Sequence, residues 1–152
     1  MKYLLVTLFS CVLFFACDKD EKISDDVFTF GAYAGECFGN CATLYQLTET
    51  ELFADNVEYF NLDFEELEFS SIPMEDSKFQ LAKDFYNEIP TELSESDSNT
   101  FGTPDAYDQG GYFMAITGPD TFKTWYIDTN KEVLPDYLKT YVEKLEVLMP
   151  QL

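Results

Sequence analysis

Thiols and carboxylates are the side chains of this sequence that could do chemistry. Cysteine stands at Cys11, Cys17, Cys37 and Cys41, and 29 acids face nine basic residues, all of them lysine. There is no histidine and no arginine. Without histidine, Ser-His-Asp and Cys-His catalysis, His-assisted general-base steps and histidine-containing zinc sites are excluded. Without arginine, no bidentate clamp for carboxylate or phosphate can form. What remains is thiol chemistry, oxygen ligation of hard cations, and acid–base work by paired carboxylates.

Cys17 has the most informative surroundings. Lys2 supplies a positive n-region, Tyr3 to Ala16 an apolar h-region, and Ala16 a small residue before a cut. This is the pattern of a secretory signal peptide. A membrane-spanning helix would need about 20 apolar residues; this run is shorter and ends in the charged cluster Asp18-Lys19-Asp20-Glu21. A cysteine directly after the cut marks a bacterial lipoprotein, in which the thiol carries the lipid. Cys11 is the competing acceptor, but a cut before it would leave Val12-Leu13-Phe14-Phe15 on the mature chain and a very short h-region. The expected organisation is a signal peptide over 1–16, lipidated Cys17 with an acidic tether over 17–26, and a single domain over 27–152. That domain is long enough for one hydrophobic core.

Three residues separate Cys37 from Cys41, with Gly39 in the middle. In an exported protein disulfides persist, and a bridge closing this short loop would contribute about 2 kcal/mol. A redox role is the sharper alternative, but the C-x-x-C spacing of thioredoxin-like sites is absent. A four-thiolate zinc site is excluded, because the remaining cysteines are the lipid acceptor and one that leaves with the signal. No cofactor is expected.

Carboxylates are spread along the whole chain, so no pair stands out as catalytic. Asp105 and Asp108, beside Gln109-Gly110-Gly111, form the most distinctive local set. One reading is an Asx-turn leading into a strand. The other is a ligand or cation loop, since hard cations take oxygen ligands, although the spacing matches no known calcium loop.

The formal charge of −20 repels phosphate backbones and anionic head groups, which excludes nucleic acid as a partner. Aromatic residues make up 17% of the chain, enough to expect exposed rings beyond those the core needs. Exposed rings suit a protein or glycan partner.

The elements that must carry these residues follow from periodicity. Val27 to Ala34 alternates as a strand, with Phe28, Phe30, Ala32 and Ala34 on one side; Ala42 to Thr48 is the next, and Leu52-Phe53-Ala54 runs back. Asp55 to Ser71 is strongly acidic, with strand-like residues from Leu67 to Ile72. Pro73 to Ile89 reads as a helix with Phe79, Ala82, Phe85, Tyr86 and Ile89 on one face. Thr91 to Tyr107 reads as a long surface loop. Gly111 to Thr117 and Thr121 to Asp128 form a hairpin around Gly118-Pro119-Asp120. A last helix begins at Pro135, its stripe running through Leu134, Leu138, Tyr141, Val142, Leu145, Leu148 and Met149. The predicted fold is α+β: an antiparallel sheet of about four to five strands with two amphipathic helices on one face.

Cys17-Asp18-Lys19-Asp20-Glu21 resembles the lipoprotein export signal of Bacteroidota, which implies delivery to the outer face of the outer membrane. The body resembles a set of small, uncharacterised Bacteroidota surface lipoproteins. The matching pieces are Gly35-Glu36-Cys37-Phe38-Gly39-Asn40-Cys41, Leu44-Tyr45, Leu52-Phe53-Ala54-Asp55, Pro104-Asp105, Asp108-Gln109-Gly110-Gly111, Trp125-Tyr126-Ile127-Asp128 and Pro135-Asp136-Tyr137-Leu138. Members of that set often carry a second cysteine pair, where this chain has Thr103 and Ala106. The departure fits a dispensable second staple better than a shared four-sulfur centre. The resemblance implies location and fold, not an activity.

The function expected from these readings is a lipid-anchored envelope module that binds a protein or glycan. The alternatives are a carboxylate-based hydrolase acting on a glycan and a thiol–disulfide protein using Cys37 and Cys41.

Overall fold

A computed structural model of the chain describes residues 25–35, 39–56, 64 and 67–152. The expected signal peptide, Cys11, Cys17 and nearly all of the tether lie outside the described residues, as does Cys37.

The described residues form an α+β fold built on one six-stranded sheet. In chain order the elements are β1 (Val27–Tyr33), β2 (Ala42–Leu47), β3 (Leu52–Ala54), α1 (Asp76–Asn87), α2 (Thr91–Ser94), β4 (Thr100–Phe101), β5 (Gly111–Thr117), β6 (Phe122–Asp128) and α3 (Asp136–Leu148). The sheet order is β3-β2-β1-β5-β6-β4. The first three predicted strands and the predicted hairpin meet along β1 and β5, which pair antiparallel from Val27↔Thr117 to Tyr33↔Gly111.

The architecture corrects the predicted strand count and the all-antiparallel sheet. β4 lies inside the stretch read as a loop, and it runs parallel to β6. A two-residue strand is too short to show a period of two. What holds it is tertiary: Thr100 and Phe101 lie against Tyr126 and Ile127 of β6, and Tyr126 N–H donates to Asn99 O at 2.8 Å. The same stretch contains α2, anchored by the fully buried Leu93. The strand-like residues from Leu67 to Ile72 supply a single bridge, Asp55↔Phe69.

Regular helix begins three residues later than predicted from Pro73. Met74 N–H donates instead to Leu52 O at 2.8 Å, which ties the chain to the sheet edge before α1 starts. At the other end Glu88 N–H donates to Phe85 O and Ile89 N–H to Tyr86 O, closing the helix ahead of Pro90.

Both long helices cover one face of the sheet. Phe28 and Phe30 of β1, Tyr45 and Leu47 of β2, Met114 of β5, and Trp125 and Ile127 of β6 meet Ala82 and Phe85 of α1 and the predicted stripe of α3. Phe85 stacks on Tyr141 at 4.4 Å between ring centroids, and Tyr141 Oη donates to Phe85 O at 3.0 Å. Lys123, which shares its alternation with Trp125 and Ile127, keeps its charge at the rim and donates to Ser94 O at the end of α2. Glu146 of α3 accepts from Tyr112 Oη at 2.8 Å and pairs with Lys131 at 2.6 Å. Lys131 and Tyr112 together outweigh burial and hold the Glu146 carboxyl below the ordinary glutamate range.

The opposite face is not a polar one. Tyr33, Ala42, Leu44, Phe113 and Ala115 form a second buried cluster, packed by Phe64, Leu67, Phe69 and Tyr126. Phe64, Leu67 and Phe69, from the chain between β3 and α1, therefore act as a partial cover for the second face. No helix among the described residues is long and apolar enough to cross a membrane.

Candidate functional site

The partial cover leaves a bay on the second face, over β1, β5 and β6. Strand alternation puts Phe113, Ala115 and Thr117 of β5 on this face together with Phe122, Thr124 and Tyr126 of β6. The register aligns them in three rungs: Phe113↔Tyr126, Ala115↔Thr124 and Thr117↔Phe122. Thr29 of β1 lies beside Ala115. Residues two apart on a strand are spaced by roughly 6.8 Å, so the small Ala115 rung is a floor between two taller aromatic walls.

The inner wall is a ring cluster. Phe64 stacks on Phe113 at 4.0 Å and meets Tyr33 and Tyr126 edge-on at 5.1 and 5.4 Å. The outer wall is Phe122, which is 76% exposed. Leu67 completes one side, and the hydroxyl-bearing Thr29, Thr117 and Thr124 line the rest of a cavity of about 450 Å³. Among the described residues that line it, none carries a charge. Flat rings beside hydroxyl donors and acceptors can hold an uncharged ring-bearing molecule by stacking and hydrogen bonding. Behind the inner wall the Tyr33 hydroxyl is pushed up to about 12 by burial, then by Asp105 and Tyr126, so it stays a neutral phenol.

The site residues expected from sequence lie elsewhere. Asp105 Oδ1 accepts from Gly35 N–H at 3.1 Å and Gly110 N–H at 3.0 Å, while Asp105 N–H donates to Gly110 O at 2.8 Å. The carboxylate therefore stitches the loop before β5 to the end of β1, a longer reach than an Asx-turn makes. Asp105 and Asp108 both have left-handed backbones, with φ of 59° and 60°, a region that aspartate tolerates. Asp108 is exposed, and no group of three or more acids or cysteines among the described residues could hold a metal ion. Cys41 is half-buried just before β2, and its sulfur lies 3.3 Å from Gly39 O. The expected partner, Cys37, lies outside the described residues.

The bay residues escaped the sequence reading, although a signal for them exists. Tyr112-Phe113-Met114-Ala115-Ile116 is a continuous apolar run, and Phe122-Lys123-Thr124-Trp125-Tyr126 carries rings on both alternations. Strands of that kind are buried, or have work to do, on both faces. Compared with protein-family models and with curated proteins, the chain matches none.

Proposed function

We propose that this protein is a lipid-anchored module of the bacterial outer membrane, exposed at the cell surface, which binds neutral glycan chains through the bay over β5 and β6. The observation that carries the binding half is the bay itself: aromatic walls two rungs apart, a small floor at Ala115, and threonine hydroxyls between them. A sugar ring offers an apolar face to Phe122 or Tyr126 and hydroxyls to the threonines. The charge of −20 disfavours anionic polysaccharides. Hydrolysis would need two carboxylates across the bound sugar, and the described lining residues bring none. The Cys37–Cys41 bridge belongs to the same proposal, as a staple for the loop between β1 and β2.

The experiment is retention of the purified protein on immobilised neutral polysaccharides in native gels. Phe122→Ala is expected to weaken retention at least about tenfold, given stacking contributions of roughly 0.5–1.5 kcal/mol beyond area burial and the lost apolar contact. The melting temperature should stay unchanged, because the ring is exposed. Equal retention of the two proteins would remove the bay from the account.

The anchoring half rests on the signal-peptide pattern ending at Cys17. Each buried CH₂ stabilises membrane attachment by about 0.8 kcal/mol, and stable anchoring takes more than one chain or signal. In bacteria expressing the full chain, Cys17→Ser is expected to abolish palmitate labelling and release the protein from the membrane fraction. Labelling and membrane recovery equal to wild type would contradict lipidation at Cys17.

A further inference from the structure

The outer surface of the two long helices carries a second recess, unrelated to the bay. α1 and α3 run in opposite directions: Lys78 near the start of α1 donates to Leu152 O, and Glu88 past its end pairs with Lys144 of α3 at 2.6 Å. Between them lies a groove of about 570 Å³. Phe85 and Leu148 form its buried floor. Its rims expose apolar surface, with Leu81 37% and Val147 67% accessible. Asp84 on the α1 wall and Glu143 on the α3 wall add exposed carboxylates. The groove's lysine, Lys144, is already held by Glu88, so the charge left over is negative.

We infer that this groove docks a basic amphipathic helix of a partner protein. An apolar trough between two helices accepts a third helix by ridge-into-groove packing, with anchors recurring at i, i+3 or i+4, and i+7. With 13 residues, α3 extends for roughly 20 Å, which matches three to four turns of an occupant. The acids on both walls select lysine or arginine beside the apolar anchors and reject an acidic helix, because like charges set against each other are costly. A chain of net charge −20 also draws a cationic partner from a distance.

The test uses a fluorescein-labelled four-turn peptide of leucine and lysine with its leucines on one face, and a scrambled peptide of identical composition that has no apolar face. Both are titrated against the purified protein by fluorescence anisotropy. The facial peptide is expected to bind at least tenfold more tightly than the scrambled one. Val147→Glu and the double variant Asp84→Lys/Glu143→Lys should each weaken it at least tenfold, and Phe122→Ala should leave it unchanged. These substitutions fall on exposed positions, and a circular dichroism melt confirms that each variant folds. Equal binding of the two peptides would show attraction to net charge alone and overturn the inference. So would an unchanged affinity in the double variant. Because the bay is not involved, failure here leaves the proposed function standing.

Discussion

Gly31→Ala is expected to destabilise the domain by about 2–4 kcal/mol, the largest loss from a single added methyl group. Gly31 sits in the middle of β1, between Leu44 of β2 and Phe113 of β5. Its φ is +154°, and a Cβ built there would lie 2.0 Å from Thr43 O and 2.9 Å from Leu44 Cα. The obstacle is backbone on a neighbouring strand rather than the end of a flexible side chain. Relief requires β1 and β2 to separate, which breaks ladder hydrogen bonds and moves Phe30 and Tyr45 in the helix-side core. A domain of this size has roughly 5–15 kcal/mol of stability in all, so the variant should melt many degrees lower in urea or heat. Unfolding midpoints measured by circular dichroism check this, and a midpoint equal to wild type would refute the close β1–β2 approach.

Asp128→Asn should cost about 3 kcal/mol and flatten the response to acid. Asp128 is 2% exposed at the end of β6. Its Oδ2 accepts from Thr103 N–H at 2.8 Å and from the Thr103 hydroxyl at 3.3 Å, and its Oδ1 accepts from Asn130 N–H at 2.8 Å. Burial pushes the carboxyl up, but the hydrogen bonds to Asn130 and Thr103 together outweigh it and hold the group below the usual aspartate range. An amide in its place turns an NH₂ toward N–H donors and leaves one of them unpaired. The linkage has a definite sign. A carboxyl depressed in the folded state contributes its full stability above its unfolded value, near 3.8, and loses it as pH falls through the lower folded value. Glu146 acts in the same direction. Wild-type stability should therefore fall as pH drops below about 4, and Asp128→Asn should show a shallower fall from a lower starting point. Parallel curves for the two proteins would contradict the assignment. Gly102 belongs to the same arrangement, since a Cβ there would meet Asp128 Cβ at 2.5 Å.

What could be read in the sequence depended on whether a periodic pattern had room to show itself. The stripe from Leu138 to Leu148 spans several helical turns, and the helix appears where its spacing puts it. The hairpin of β5 and β6 is equally legible, with Gly118 N–H donating to Thr121 O across the expected turn. β4 and α2 are too short for any period; Leu93 and Phe101 are held by what surrounds them. The bay failed for a different reason. Its walls join Phe113, Phe122 and Tyr126 of one hairpin to Phe64, far earlier in the chain, and strand register and the cover over the second face bring them together. A rule that assigns one apolar face to each strand finds Trp125 and Ile127 and stops there. Asp105 was legible as turn chemistry, but its reach to Gly35, 70 residues away in the chain, could not be read from local sequence.

The bay's role as a glycan-binding surface is most directly tested by an amide and methyl NMR titration of the protein with a neutral oligosaccharide. The account predicts that the largest shifts fall on Thr29, Ala115, Thr117, Phe122 and Thr124, while Ala82, Leu138 and Val142 beneath the helices stay still. Shifts confined to the helix side or to the Asp105 loop, or none at all across a panel of neutral glycans, would contradict it.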